Sequence, residues 1–134
     1  RGQRYDVSNK TGNRTLSSRL MPFTGMILLV YVITHVLDYR LNPITDANAI
    51  VEGVHLGLYG QVFNSFLSPI RSIWYMVAMV AVGFHLIHAI QSIVQTFGFN
   101  HTSYTPIIKK MSWVLGVAIS VGFATIPVYV FFIY

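Results

Sequence analysis

Residues 73–94 read IWYMVAMVAVGFHLIHAIQSIV, and this stretch decides the fold. It contains no charged side chain and exceeds the ~20 largely apolar residues that carry a helix across a bilayer core. Two histidines, His85 and His88, nevertheless sit inside it. A titratable side chain at that depth is costly and marks a functional site. Outward from this run, residues 20–37 and 111–133 are also long and apolar, and the first of these holds His35.

Composition agrees with a membrane environment. The chain has 134 residues, 54% of them hydrophobic and only 10% charged, with a mean hydropathy of +0.58; soluble domains carry ~25% charged residues. The expected fold is a single all-α integral membrane domain with three transmembrane helices, about 18–39, 71–98 and 106–133. Three helices enclose little interior, so this unit is expected to be part of a larger helical bundle. Residues 49–67 carry Ile50, Val51, Val54, Leu58, Val62 and Phe66 near helical spacing, opposite Glu52, Gln61 and Asn64. That pattern predicts a short interfacial helix. It is expected to close at Pro69, with Arg71 opening the second span. Ser17 and Ser18 fit an N-cap, Gly98 a C-cap and Pro106 a helix start. Pro127 falls within the third span and is expected to kink it. The chain has no cysteine, which excludes disulfides and thiolate-bound metals or iron–sulfur clusters within it.

The net charge of +5 does not indicate nucleic acid. Arg1, Arg4, Lys10, Arg14 and Arg19 precede the first span and Lys109 and Lys110 precede the third, so seven of the nine basic residues fall on one side. The positive-inside rule then places the N-terminus inside and the C-terminus outside. Residues 1–13 are polar and have no apolar core, unlike a signal peptide. The absence of an initiator methionine suggests a processed product or a piece of a longer chain.

Depth separates the histidines. Taking Leu20 at the inner edge, His35 lies ~22 Å up a ~30 Å core at 1.5 Å per residue. The second helix descends from Arg71, which puts His85 ~21 Å down and roughly 13 Å from the level of His35. One iron cannot be reached by both. His88 is one turn from His85 on nearly the same face; the pair could hold a small metal ion, or one could ligate a haem while the other contacts it. Each imidazole could instead hydrogen-bond to a neighbouring helix. His55 and His101 lie in polar connections and read as surface residues. Arg19 could pair with a haem propionate or a lipid phosphate. Gly25, Gly83, Gly116 and Gly122 permit close helix approach or the nearness of a flat ring. Trp74 fits an interface belt, with a quinone contact as the alternative.

Several motifs resemble the cytochrome b membrane-anchor subunit of succinate:quinone oxidoreductases (succinate dehydrogenase and fumarate reductase). Ser18-Arg19, Gly25 and Val32-Ile33-Thr34-His35-Val36 are similar to the first helix of the second half of that subunit in its five-helix, two-haem form. Gly83-Phe84-His85-Leu86-Ile87-His88-Ala89-Ile90-Gln91-Ser92, Gln95-Thr96-Phe97-Gly98-Phe99-Asn100-His101 and Tyr104-Thr105-Pro106 resemble the next helix and its exit loop. Ala124-Thr125-Ile126-Pro127-Val128-Tyr129 resembles the last helix. The likeness covers nearly the whole chain.

The resemblance implies that His35 ligates a distal haem b and His85 a proximal haem b, with His88 as an alternative ligand or haem contact. It also implies a flavoprotein subunit, an iron–sulfur subunit, menaquinone or ubiquinone as electron acceptor, and a bacterial cytoplasmic (inner) membrane. Companion helices carrying the other two axial histidines are expected, because the family's first two helices have no counterpart here. Some two-haem relatives carry a glutamate two positions before the proximal ligand; Gly83 stands there in this chain. The only acid in the expected spans is Asp38, at a helix end. The expected function is therefore a haem-binding anchor passing electrons from an iron–sulfur subunit to quinone, with no catalytic residue of its own. The alternatives are a cytochrome b subunit of another quinone-linked dehydrogenase and a haem-free structural anchor.

Overall fold

The computed structural model describes residues 16–98 and 103–134, with side chains from Arg19 onward. The chain is an all-α membrane protein with three spanning helices: α1 (Leu16–Tyr39), α4 (Pro69–Thr96) and α5 (Thr105–Phe132). Between α1 and α4 come a single turn α2 (Asp46–Ala49), a two-stranded hairpin β1 (Ile50–Val51) and β2 (Val54–His55), and the helix α3 (Gly57–Phe66). The expected basic segment upstream of Leu16 and the surface residue His101 fall outside the described residues.

The continuous interfacial helix expected over 49–67 is corrected. Only 57–66 is helical for more than one turn. Glu52 and Gly53 both take positive φ, 50° and 81°, the pair that a tight two-residue hairpin turn requires. The antiparallel pairs Ile50–His55 and Val51–Val54 follow from that turn. Gly57 (φ 57°) then redirects the chain into α3. A Cβ at Gly60 would overlap the Ala49 carbonyl oxygen, so glycine there lets α3 fold directly against α2.

The start of α4 also differs from expectation. Pro69 opens this helix rather than closing the one before, with Ser68 as an extended N-cap. Proline suits a first-turn position, where its missing N–H has no intrahelical acceptor. Ser72 Oγ donates to the Phe66 carbonyl at 2.6 Å and secures the corner between α3 and α4. At the other end Gly98 takes φ 80° and its N–H reaches the Gln95 carbonyl at 3.0 Å, as expected of a glycine C-cap. Ser17 and Ser18 already lie within α1, and α5 continues through a buried Pro127.

The three spans run up, down and up, with α4 in the middle. Cross-helix hydrogen bonds set its register on α1: Thr24 faces His85, Thr34 faces Trp74 and Asp38 faces Arg71. On its other side, Gly83 faces Gly116 and Ser120, and Gln91 faces Ser112. The bundle therefore has a lysine end, with Arg19, Gly98, Lys109 and Lys110, and a hairpin end, with α2, β1, β2, α3 and Tyr134. Phe63, Phe66, Tyr75 and Val130 form the apolar core at the hairpin end.

Candidate functional site

The two histidine levels are built on the same local device. Thr24 and Thr34 each donate their hydroxyl hydrogen back to a carbonyl of their own helix, Met21 at 3.1 Å and Tyr31 at 3.0 Å. A threonine hydroxyl has one hydrogen to give and lone pairs to spare. Each can therefore accept a bond from α4: Thr34 Oγ1 takes the Trp74 indole N–H at 3.1 Å, and Thr24 Oγ1 lies 3.2 Å from His85 Nδ1.

The Thr24 hydroxyl thus meets both the Met21 carbonyl and His85 Nδ1. An imidazole oriented by a hydrogen bond at one ring nitrogen leaves the other for a metal ion, the usual arrangement of metal-binding histidines. Gly25 lies against the same ring, its added Cβ falling 3.7 Å from His85 Cε1.

His35 is about 11 residues along α1 from Thr24, or ~16 Å at 1.5 Å per residue. The axial separation of the two imidazoles expected from sequence is therefore present, and somewhat larger. His35 is exposed at the mouth of a cavity of about 530 Å³, whose wall includes Tyr31, Tyr39, Phe66, Tyr75 and Pro127. Its ring centroid lies 5.5 Å from Tyr31, 5.2 Å from Tyr39 and 6.1 Å from Tyr75. The Tyr39 hydroxyl is buried beside Ser65 and Tyr75. A second apolar recess of about 690 Å³, between α3 and α5, shares Leu58, Val62 and Ile126 with this cavity.

Beyond His35 toward the hairpin end lies a charged cluster that sequence reading noted only as a lone acid. Arg71 Nη1 is 2.6 Å from Asp38 Oδ1, and the Tyr75 hydroxyl donates to Asp38 Oδ2 at 3.1 Å. The buried Gln61 amide donates to the Asp38 and Asn42 carbonyls at 3.1 and 3.3 Å, fastening α3 to the end of α1. The signal was present in the sequence: an acid ending one span and an arginine opening the next meet when a reversal joins them.

The other candidates separate as follows. His88 is half-buried one turn from His85 toward the lysine end and makes no hydrogen bond among the described residues. No group of three His, Cys, Asp or Glu side chains comes together among the described residues, around His85 and His88 or elsewhere. Arg19 is exposed on α1, about five residues or ~7.5 Å beyond the Thr24 level. His55 is a surface residue, 3.6 Å from the exposed Asp46. Gly83 and Gly116 serve helix approach: a Cβ at Gly116 would lie 2.5 Å from Ile87 Cγ1 and 2.9 Å from the Gly83 carbonyl oxygen. Gly122 faces open space. Trp74 is committed to Thr34 through its indole N–H.

No protein-family model, curated protein or solved structure matches the chain.

Proposed function

We propose that this chain is a haem-binding membrane anchor of a succinate:quinone oxidoreductase, succinate dehydrogenase or fumarate reductase. The observation that carries the reading is the pair of imidazoles on α1 and α4 at well-separated levels, one of them hydrogen-bonded to Thr24 through Nδ1. His85 would hold a haem b nearer the lysine end, through Nε2, and His35 a second haem b nearer the hairpin end. The donor set fits the group, since neutral imidazole is a common axial ligand of low-spin haem and each would need one further histidine. Companion helices supply those ligands and cover the exposed apolar faces of the bundle. Bound haem contributes one-electron redox chemistry.

The residues of the chain do the positioning. Thr24 aims the His85 ring through Nδ1. Tyr31, Tyr39 and Tyr75 line the space beside His35, and the recess between α3 and α5 supplies an apolar approach from the lipid for menaquinone or ubiquinone. Arg19 is available to a propionate of the haem at the lysine end, and His88 is the alternative ligand or contact there. The flavoprotein and iron–sulfur subunits would dock at the lysine end, facing the cytoplasm in the bacterial inner membrane. A structural anchor without haem is the second reading, because the Thr24–His85 bond also ties α1 to α4.

The test is a reduced-minus-oxidised haem spectrum of the purified complex. The wild type should show two haems, and His85→Ala and His35→Ala should each lose at least one. Unchanged spectra in both variants would overturn the ligand assignment, and a haem-free wild type would favour the structural reading. Co-purification with a flavin-carrying succinate-oxidising subunit distinguishes this assembly from other quinone-linked dehydrogenases.

A further inference from the structure

We propose that the outward face of α5 at the lysine end holds an anionic phospholipid, with its phosphate at Lys110 and an acyl chain in the groove alongside. The inference stands apart from the haem reading and uses none of the histidines.

Ile107, Lys110, Met111 and Val114 line a shallow groove of about 430 Å³, and all four are exposed. Their spacing is that of a single helix face. Ser112 lies two residues on from Lys110, ~200° around the helix at 3.6 residues per turn. It bonds to Gln91 of α4, and Gly116 beyond it packs on Gly83 and Ile87. The groove is therefore turned away from α4, toward the surroundings of the bundle.

Charge selects what fills it. Lys109 and Lys110 are adjacent, and α5 opens just before them at Thr105 with no side-chain cap. The positive end of the helix dipole thus adds to theirs. The described acids, Asp38, Asp46 and Glu52, all lie at the hairpin end, and neither lysine forms an ion pair among the described residues. Depth agrees as well. Trp113 is exposed one turn beyond Lys110, and an amphipathic indole settles at the headgroup level. The Lys110 ammonium then meets the phosphate layer. Met111 and Val114, followed by Val117 and Val121, continue an exposed apolar surface into the acyl region.

A companion helix on this face would cover Lys110 and would have to bring an acid to pair with it. A zwitterionic lipid brings a cation of its own beside the two lysines. An anionic phospholipid satisfies both halves of the groove. Its phosphate carries no compensating cation, and its chain lies along the apolar wall that the lysine stem completes.

The experiment places the assembled complex in phosphatidylcholine vesicles containing a trace of phosphatidylglycerol with a photoreactive diazirine in one acyl chain. Phosphatidylcholine with the same chain is the comparison probe, and cross-links are mapped by mass spectrometry. In the wild type, the phosphatidylglycerol probe should label residues 107–114 several-fold more than the phosphatidylcholine probe. Lys110→Gln should cut that label by about fivefold, the contribution of one basic residue near an anionic headgroup, and Lys110→Arg should keep it. Arg40→Gln, which removes a positive charge at the hairpin end, should leave it unchanged. Equal labelling by the two lipids, or full labelling in Lys110→Gln, would overturn the proposal. Equal loss in Lys110→Gln and Arg40→Gln would also overturn it, by making the preference a matter of net charge. So would cross-links confined to another subunit, which would show that protein covers this face. None of these readouts depends on bound haem, so they leave the functional reading to its own test.

Discussion

The two faces of α4 solve opposite problems. Toward α5 it is built to touch: Gly83 and Gly116 bring the backbones together, Ser120 Oγ donates to the Met79 carbonyl at 2.7 Å, and Gln91 donates to Ser112 at 2.8 Å. Toward α1 it is built to hold groups apart and aim them. There the contacts are Thr24 with His85, Thr34 with Trp74, and Asp38 with Arg71 and Tyr75, with a cavity opening beside His35. Without a hydrophobic force between helices in lipid, close packing and hydrogen bonds must hold the bundle. The α4–α5 seam supplies the packing, which leaves the α1–α4 seam free to carry polar and titratable side chains.

The largest effect should come from breaking the packed seam. Gly116→Leu places a side chain where Ile87 and the Gly83 backbone already sit, an overpacking that costs ~1–3 kcal/mol or more. The expected result is a lower unfolding temperature in detergent and poor recovery of protein. Gly122→Ala, on the open face of the same helix, should change neither; equal damage from both would remove the distinction between the faces.

A smaller and more selective effect is expected on the other seam. Thr24→Val keeps shape but removes the hydrogen-bond partner of His85 Nδ1, and loss of such a second-layer partner typically weakens metal-group binding 10–100-fold. On the haem-binding reading proposed above, retention of one haem on dilution should fall while the fold survives, and Thr24→Ser should largely preserve it. Equal retention in Thr24→Val and wild type would show that His85 needs no orienting partner.

The smallest effect lies at the hairpin end, outside the spans. The Tyr134 hydroxyl donates to Glu52 Oε1, and that bond raises the phenol above its ordinary 10.0. A raised phenol means that the protonated form is favoured in the folded chain. Any stabilisation it brings is therefore present below about pH 10 and lost as pH climbs through the raised value. Glu52→Gln should bring the Tyr134 titration, followed by phenolate absorbance, back toward 10.0 with little change in stability; an unaltered titration would show that the clasp does not form.

How far these regions could be read in advance follows from the range of the forces that make them. The spans were legible because a run such as 73–94 has one low-energy way to sit in lipid, and their antiparallel order followed from the short connection after Gly98. The separation of His35 from His85 was legible for the same reason, being a count of residues times a fixed rise. The hairpin was not. Ile50, Val51, Val54 and Leu58 fall near helical spacing, yet the local backbone preference of Glu52-Gly53 and the contact of Gly60 with Ala49 override that pattern. The four candidate glycines looked alike in sequence and separated only when their neighbours were known.

By itself, then, the sequence determined a three-span helical membrane protein with imidazoles at two depths, because hydropathy and helical rise act along the chain. Only the tertiary structure decided that Thr24 meets His85 Nδ1, that Asp38 meets both Arg71 and Tyr75, and that Tyr39 lies beside His35 and Tyr75. Those facts depend on the register between helices. That register is set by residues such as Gly83, Gly116 and Thr34 meeting a neighbouring helix across a seam, which no pattern along one chain encodes.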